Sequence, residues 1–285
     1  MRSCRRPGGV LLSFLVSDAP SHPLPQAPGS SAPAPSSARD ALPVSEVFYS
    51  VQGEGKLTGV PSVFIRLSGC NLRCWWCDTP YASWDAATDP HTTRMAVGDL
   101  LERVIESGAD HAVLTGGEPM IFPGLLDLTD RLKAAGIHIT IETAGTVDRL
   151  KAPDGQLRHP ACDLISISPK LRHSTPVDDP RDPSGRLAAR HEKTRLNVPA
   201  LQSLIDHHPD RQLKFVVASE SDLGEIDDLL GRLTGFTPAD VLLMPEGVTV
   251  PPPERTAWVV RTCLDRGWRY CHRLHVELFG NTRGT

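Results

Sequence analysis

Three cysteines, Cys70, Cys74 and Cys77, fall within eight residues of this chain at the spacing Cys-x3-Cys-x2-Cys. Three thiolates on one short loop hold three irons of a [4Fe-4S] cube and leave the fourth iron open to a small molecule. An electron-transfer cluster normally takes four protein ligands. A structural zinc site competes for the pattern, but it wants four ligands, usually as two Cys-x2-Cys pairs, and the sequence has no second pair. The other cysteines, Cys4, Cys162, Cys263 and Cys271, read as small hydrophobes or exposed thiols. A fourth-ligand role for one of them is the alternative that would close the open iron. Seven cysteines, an odd number with three in one loop, do not make a disulfide framework and point to a reducing cytosol.

The formal net charge of -4 gives no overall basic field for nucleic acid or an anionic membrane surface. Near the start, Arg2, Arg5 and Arg6 precede an apolar run at 9–16 that resembles a short secretory signal, and 19–43 is rich in Pro, Ala and Ser. Export conflicts with an oxygen-labile cluster fed by low-potential electrons. Residues 1–43 are therefore read as a disordered extension, or as sequence upstream of a misassigned start. No later segment has the length of a membrane-spanning helix.

From residue 44 the chain alternates. Strands are expected at 44–51 and 62–68, the second running straight into the cysteine loop. Val97, Leu100, Leu101, Val104 and Ile105 have helical spacing within 95–107, and Gly108 ends that helix. Further strands are expected at 111–115, 137–143, 163–168, 212–218, 240–244 and 273–279. Helices are expected at 122–135, 197–208, 221–234 and 253–267, with a polar insertion at 171–195. Alternating strand and helix imply a parallel sheet with right-handed crossovers. Six or so repeats are too few for a closed eight-fold barrel, so the fold class is α/β, an open partial (β/α)6-type barrel with parallel strands. Its site lies at the strands' carboxyl ends.

Those ends carry the unusual words. Thr115-Gly116-Gly117-Glu118-Pro119 lets backbone approach a ligand, and Glu118 can accept from an ammonium group; a simple turn before Pro119 is the plainer reading. Ser168-Pro169-Lys170 and Met244-Pro245-Glu246-Gly247 end two more strands. Thr79 offers a hydroxyl, a poor cation ligand alone and workable only with substrate oxygens in the shell. Arg66 is a charged residue on an otherwise apolar strand, either surface-exposed or paired. His275 on its strand reads first as a structural histidine.

The cysteine spacing is the signature of the radical S-adenosylmethionine (SAM) enzymes. With Tyr49-Ser50-Val51-Gln52-Gly53-Glu54-Gly55, Arg66-Leu67-Ser68-Gly69-Cys70-Asn71-Leu72 and Cys77-Asp78-Thr79, the chain resembles the 7-carboxy-7-deazaguanine synthases over residues 44–285. The resemblance implies a carbon–nitrogen lyase acting on 6-carboxy-5,6,7,8-tetrahydropterin, with loss of ammonia, in 7-deazapurine biosynthesis of the queuosine type. It implies a [4Fe-4S] cluster on Cys70, Cys74 and Cys77, Mg2+ on Thr79, and SAM against Asp78, Gly117, Glu118, Ser168, Pro169, Lys170, Met244, Pro245, Glu246 and Gly247. It assigns the pterin to Val51, Gln52, Gly53, Glu54, Arg66, Thr115 and His275. Ala144, in Glu142-Thr143-Ala144-Gly145-Thr146, departs from the family's asparagine. A cytoplasmic homodimer fed by flavodoxin or ferredoxin, with no nucleic acid or membrane partner, is the matching expectation. The rivals are a glycyl-radical activating enzyme, against which stand Gln52, Arg66 and Thr79, and a zinc- or cluster-stabilised binding module.

Overall fold

The computed structural model describes residues 41–285. The expectation of a disordered extension over 1–43 lies outside that range except at 41–43, where it is corrected: these residues open the first strand and pair with 94–96. The chain runs β1 (Ala41–Val51), β2 (Pro61–Leu67), β3 (Thr93–Ala96), α1 (Val97–Glu106), β4 (His111–Gly116), α2 (Leu125–Ala134), β5 (His138–Thr143) and a small hairpin, β6 (Leu150–Lys151) with β7 (Leu157–Arg158). It continues with β8 (Leu164–Ile167), α3 (Arg186–Thr194), α4 (Val198–His207), β9 (Arg211–Val217), α5 (Asp222–Leu230), β10 (Val241–Pro245), α6 (Pro253–Arg266), β11 (Arg269–Tyr270) and α7 (Leu274–Phe279).

Nine strands form one sheet in the order β11-β10-β9-β8-β5-β4-β2-β1-β3. From β2 to β11 every pairing is parallel, while β1 pairs antiparallel with β2 and β3. The parallel strands succeed one another in chain order and the sheet does not close, which is the open partial barrel expected. The continuous apolar run Val241, Leu242, Leu243 and Met244 of β10 is buried throughout because a parallel sheet is covered on both faces. Helix α1 packs Val97, Leu100 and Val104 inward and leaves Ile105 exposed. Among the described residues no helix is long and apolar enough to cross a membrane.

One further expectation needs correction. The segment expected as a strand at 273–279 forms the helix α7, Leu274–Phe279. Alternation of Leu274, Val276 and Leu278 would bury all three on one face, yet only Val276 is buried and Leu278 is exposed. The edge beside β10 is already taken by β11, and the Leu274 N–H donates instead to the Gly53 carbonyl at 2.8 Å. The polar insertion at 171–195 holds α3, whose first N–H groups at Leu187 and Ala188 are capped by Asp182 Oδ2 at 2.8 and 2.9 Å. Boundaries move elsewhere: Met95 belongs to β3, and β1 begins at Ala41.

Candidate active site

The carboxyl ends of β2, β4, β5, β8, β9 and β10 surround one cavity of about 460 Å³, lined by residues from each of these strands or the loop after it. That volume suits a small molecule, within the ~300–1,000 Å³ of typical ligand sites. All three loop cysteines line it. Burial pushes the Cys70 and Cys74 thiols up to about 12, with Lys170 pulling Cys74 only part of the way back. At neutral pH both are therefore protonated unless a metal displaces the proton. The Leu72 N–H faces Cys70 Sγ at 3.4 Å, and Ser83 Oγ lies 3.2 Å from Cys77 Sγ.

The cysteine loop is held by segments later in the chain. Gly117 lies against it so closely that a Cβ there would meet the Gly69 carbonyl oxygen at 2.2 Å. Only glycine fits. Asn71 Nδ2 donates to Thr146 Oγ1 at 2.8 Å, tying the loop to the turn after β5. The insertion buttresses its outer side: the Arg73 N–H donates to His191 Nδ1 at 3.0 Å, and His191 Nε2 lies 2.9 Å from Ser174 Oγ, which donates to the Leu171 carbonyl at 2.6 Å. His191 is buried, and burial followed by the Arg195 charge lowers its pKa to about 4. Its neutral form is the one that accepts from Arg73.

The ordinary histidine value near 6.5 in the unfolded chain lies above the folded one, so this contribution is complete above pH 6.5 and is lost as pH falls toward 4. Glutamine keeps one acceptor and one donor without titrating. We expect His191→Gln to lose about 2–3 kcal/mol less than the parent chain between about pH 7 and pH 4.5. Urea midpoints of the cluster-free protein at the two pH values read this directly; parallel losses would show that His191 does not titrate in the fold.

On the opposite wall a bulge between Val44 and Glu46 in β1 sets Glu46 across from Arg66 of β2. Arg66 Nε donates to Glu46 Oε1 at 2.5 Å, and Tyr81 Oη donates to the same oxygen at 3.0 Å. Among the described residues no hydrogen bond occupies the Nη groups of Arg66, which lines the cavity. Arg283 closes the corner, donating to the Ser45 carbonyl at 2.9 Å and to Asp89, with its guanidinium 4.1 Å from the Tyr81 ring centre. Residues 281–285 thereby join the cavity wall.

The third wall is ionic. Glu54 is paired with Lys214 and, at 3.0 Å, with Arg273 Nε, and Arg273 also reaches Asp78. Burial alone would raise the Glu54 pKa, but Lys214, then Arg273 and His275, hold it well below the carboxylate range. Glu54 raises Lys214 in turn against the effect of burial.

The Radical SAM superfamily sequence model matches residues 64–182. A 7-carboxy-7-deazaguanine synthase of Rhodopirellula baltica is 48% identical over 269 residues, covering 93% of this chain and 98% of that protein. This chain belongs to the 7-carboxy-7-deazaguanine synthase family. A Halobacterium salinarum relative of the same name is 46% identical over 254 residues, covering 86% of this chain and 93% of the relative. The crystal structure of QueE from Escherichia coli, 28% identical, aligns with a TM-score of 0.59 over 84% of this chain and all of that one. The protein is thus a radical SAM lyase of 7-deazapurine biosynthesis with a [4Fe-4S] cluster and SAM as its cofactors.

Within this family's site the structure gathers most of the expected residues. Cys70, Cys74, Cys77, Asp78, Thr79, Gly117, Ser168, Lys170 and Met244 line the cavity, as do Val51, Gln52, Gly53, Glu54, Arg66, Thr115 and His275. Others stand back from it. Glu118 is fully buried and does not reach the cavity: its carboxylate accepts from Met120 N, Thr143 Oγ1 and Ala144 N at 3.0, 2.8 and 2.8 Å. It shapes the wall rather than facing a ligand. Pro169 and Gly247 are set back; Pro245 ends β10 and faces Tyr270 and Cys271 instead of the cavity, and Glu246 pairs with Arg255 at 2.9 Å. His275 lines the cavity from α7, its ring against Gly53, where a Cβ would meet Nδ1 at 1.9 Å. Of the spare cysteines, Cys162, Cys263 and Cys271 do not line the cavity, and Cys4 lies outside the described residues.

Lys214, Glu46, Tyr81 and Arg283 also line the cavity, outside the motifs of the sequence. Lys214 carried a usable signal, a lysine within the apolar strand Arg211–Val217, of the kind that marks Arg66. The others sit on a bulge, a turn and the C-terminal segment, where no periodicity marks them.

Proposed function

We propose that this enzyme converts 6-carboxy-5,6,7,8-tetrahydropterin to 7-carboxy-7-deazaguanine with loss of ammonia, and that the cavity takes the pterin beside the cluster and SAM. The observation that supports it most is that three thiols open onto the same cavity as Arg66 and Lys214. That neighbourhood supports a reading in which an acidic small substrate meets cationic side chains beside an iron site.

The donor set fits a cluster with one open iron, since no further described cysteine lines the cavity. Cys70, Cys74 and Cys77 would hold it. When bound, the cluster and SAM supply one-electron radical chemistry, which is the cofactors' own. The chain binds and orients. Gly117 offers close backbone approach, and Ser168 and Lys170, joined at 2.9 Å between Oγ and Nζ, face the carboxylate or ribose of SAM. Met244 serves the adenine side, with Pro245, Glu246, Gly247 and Pro169 shaping the loops behind, and Asp78 is fixed by Arg273. Thr79 supplies one oxygen to Mg2+, the rest of the shell coming from substrate and water.

For the pterin, the free Nη groups of Arg66 make a two-pronged donor for the carboxylate. Gln52 donates through Nε2 to Ser62 Oγ at 3.0 Å, which turns its carbonyl toward the ligand's N–H edge with Val51, Gly53, Glu54 and Thr115 around it. Burial keeps His275 below its ordinary pKa despite Glu54, so it meets the substrate neutral. Cytoplasmic residence, a homodimer, and electrons from flavodoxin or ferredoxin complete the reading. The net charge of -4 supports the absence of a nucleic acid or membrane partner.

The test is anaerobic reconstitution with iron and sulfide, then mass spectrometry of 6-carboxytetrahydropterin with SAM, a reductant and Mg2+. 7-Carboxy-7-deazaguanine should form without net SAM consumption. SAM cleavage with the pterin untouched would overturn the substrate assignment. Arg66→Lys, which loses the fork but keeps the charge, should raise KM for the pterin about ten- to a hundredfold, the equivalent of about 1.5–3 kcal/mol for a charged hydrogen bond.

A further inference from the structure

At the other rim of the sheet, where β8 and β9 begin, three histidines meet. His159 comes directly after the β6–β7 hairpin, His207 closes α4, and His208 caps that helix. One ring nitrogen of each lies within 4.8 Å of the other two. The His159 and His207 rings stack at 3.9 Å, while His208 stands edge-on to both. His208 is 4% exposed, its Nδ1 lies 3.4 Å from Cys162 Sγ, and its Nε2 is buried without a hydrogen-bond partner. Nδ1 of His159 is buried and unpartnered as well, and its Nε2 lies 3.4 Å from Ser203 Oγ.

Two of the eight buried, unpartnered side-chain atoms among the described residues fall in this one cluster, and such atoms in native folds ordinarily find a partner. Burial, then His207 and His159, takes His208 down to about 4, and burial with His207 lowers His159 against Asp148. Both rings are neutral at pH 7, the form that offers a lone pair to a metal.

We propose that His159, His207 and His208 form a binding site for a borderline divalent ion, Zn2+ in the first instance, which staples the β6–β7 hairpin to the end of α4. Imidazole ligands suit zinc, nickel or copper and not the hard cations. With its proton on Nδ1, toward the Cys162 sulfur, His208 is oriented from behind and presents Nε2, as ligating histidines commonly do. His207 is exposed, so its ring is free to turn out of the stack and complete the set, with water in the fourth position. The staple acts where it is useful. Between β5 and β8 the crossover is this two-stranded hairpin, in place of the helix that covers the sheet at the β4–β5 connection.

The test uses the anaerobically reconstituted holoprotein, whose cluster cysteines are already occupied. It is equilibrated with Zn2+, dialysed against a weak chelator and analysed for metal. About one zinc per chain should be retained beyond the cluster iron, with a rise in Tm of about 5 °C or more at a hundredfold excess over Kd. His207→Ala, at an exposed position, should fold normally, bind zinc at least about tenfold more weakly and lose the thermal shift. His208→Gln should behave alike. Co2+ in place of zinc should give d–d bands without thiolate charge transfer. No retained zinc, equal retention in His207→Ala, or a thiolate band placing the metal on cysteine would each overturn the proposal.

Discussion

Cys74→Ala, reconstituted anaerobically with iron and sulfide, should carry no stable [4Fe-4S] absorbance, cleave no SAM and form no detectable product. Three thiols line the cavity and no described cysteine stands in reserve, so the loss of one leaves an iron with no protein ligand to replace it. The same environment makes assembly pH-dependent. Burial pushes the Cys70 and Cys74 thiols up to about 12, so iron loading near neutral pH displaces a proton from each, and loading should strengthen as pH rises. Cys271→Ala is the control. Its sulfur accepts from the Gly55 N–H at 3.2 Å, behind the ionic wall, so its removal should cost about 1 kcal/mol of stability and leave the cluster in place. Cluster retention in Cys74→Ala, or its loss in Cys271→Ala, would mean that a sulfur outside the loop ligates iron.

What could be read from residues alone depended on how local the cause was. The cysteine spacing fixes a ligand set within one loop, and apolar runs bounded by glycines fix the parallel strands, so the open barrel and its catalytic rim were legible in the residues themselves. Residues 273–279 were not, because a six-residue apolar alternation satisfies strand and helix alike and the choice was made by a distant partner, the Gly53 carbonyl. Glu118 shows the same limit in the site. Its motif was readable, but its three donors come from Met120, Thr143 and Ala144, two of them at the far end of the next strand. The insertion at 171–195 read as polar because most of its side chains face solvent, while it holds the cysteine loop through the buried His191, the His173 and Ser174 carbonyls and Arg181.

Lys214→Met should be the most destabilising change outside the cysteine loop. Lys214 is buried and Glu54 largely so, and removing one member of such a pair leaves the other charge poorly compensated, a cost of about 3–5 kcal/mol. Arg273, which is shared with Asp78, and His275 remain for Glu54. The pH dependence separates this from simple loss of packing. In the parent chain Glu54 is held well below its ordinary value of 4.5, so its contribution is present above that pH and lost only in acid. Losing Lys214 removes the largest attraction that offsets burial, so the Glu54 pKa moves up from its parent position while Arg273 and His275 still hold it down. The acid limb of the Glu54 contribution should therefore begin at a higher pH in the variant than in the parent chain, within about pH 3–7. Glu54→Gln added to Lys214→Met removes the orphaned charge, and the double variant should recover about 2 kcal/mol and the flat profile. Urea midpoints across that pH range for the parent, the single and the double variants decide it. A Lys214→Met midpoint that falls by the same amount at every pH would show that Lys214 supports the wall by its methylenes alone.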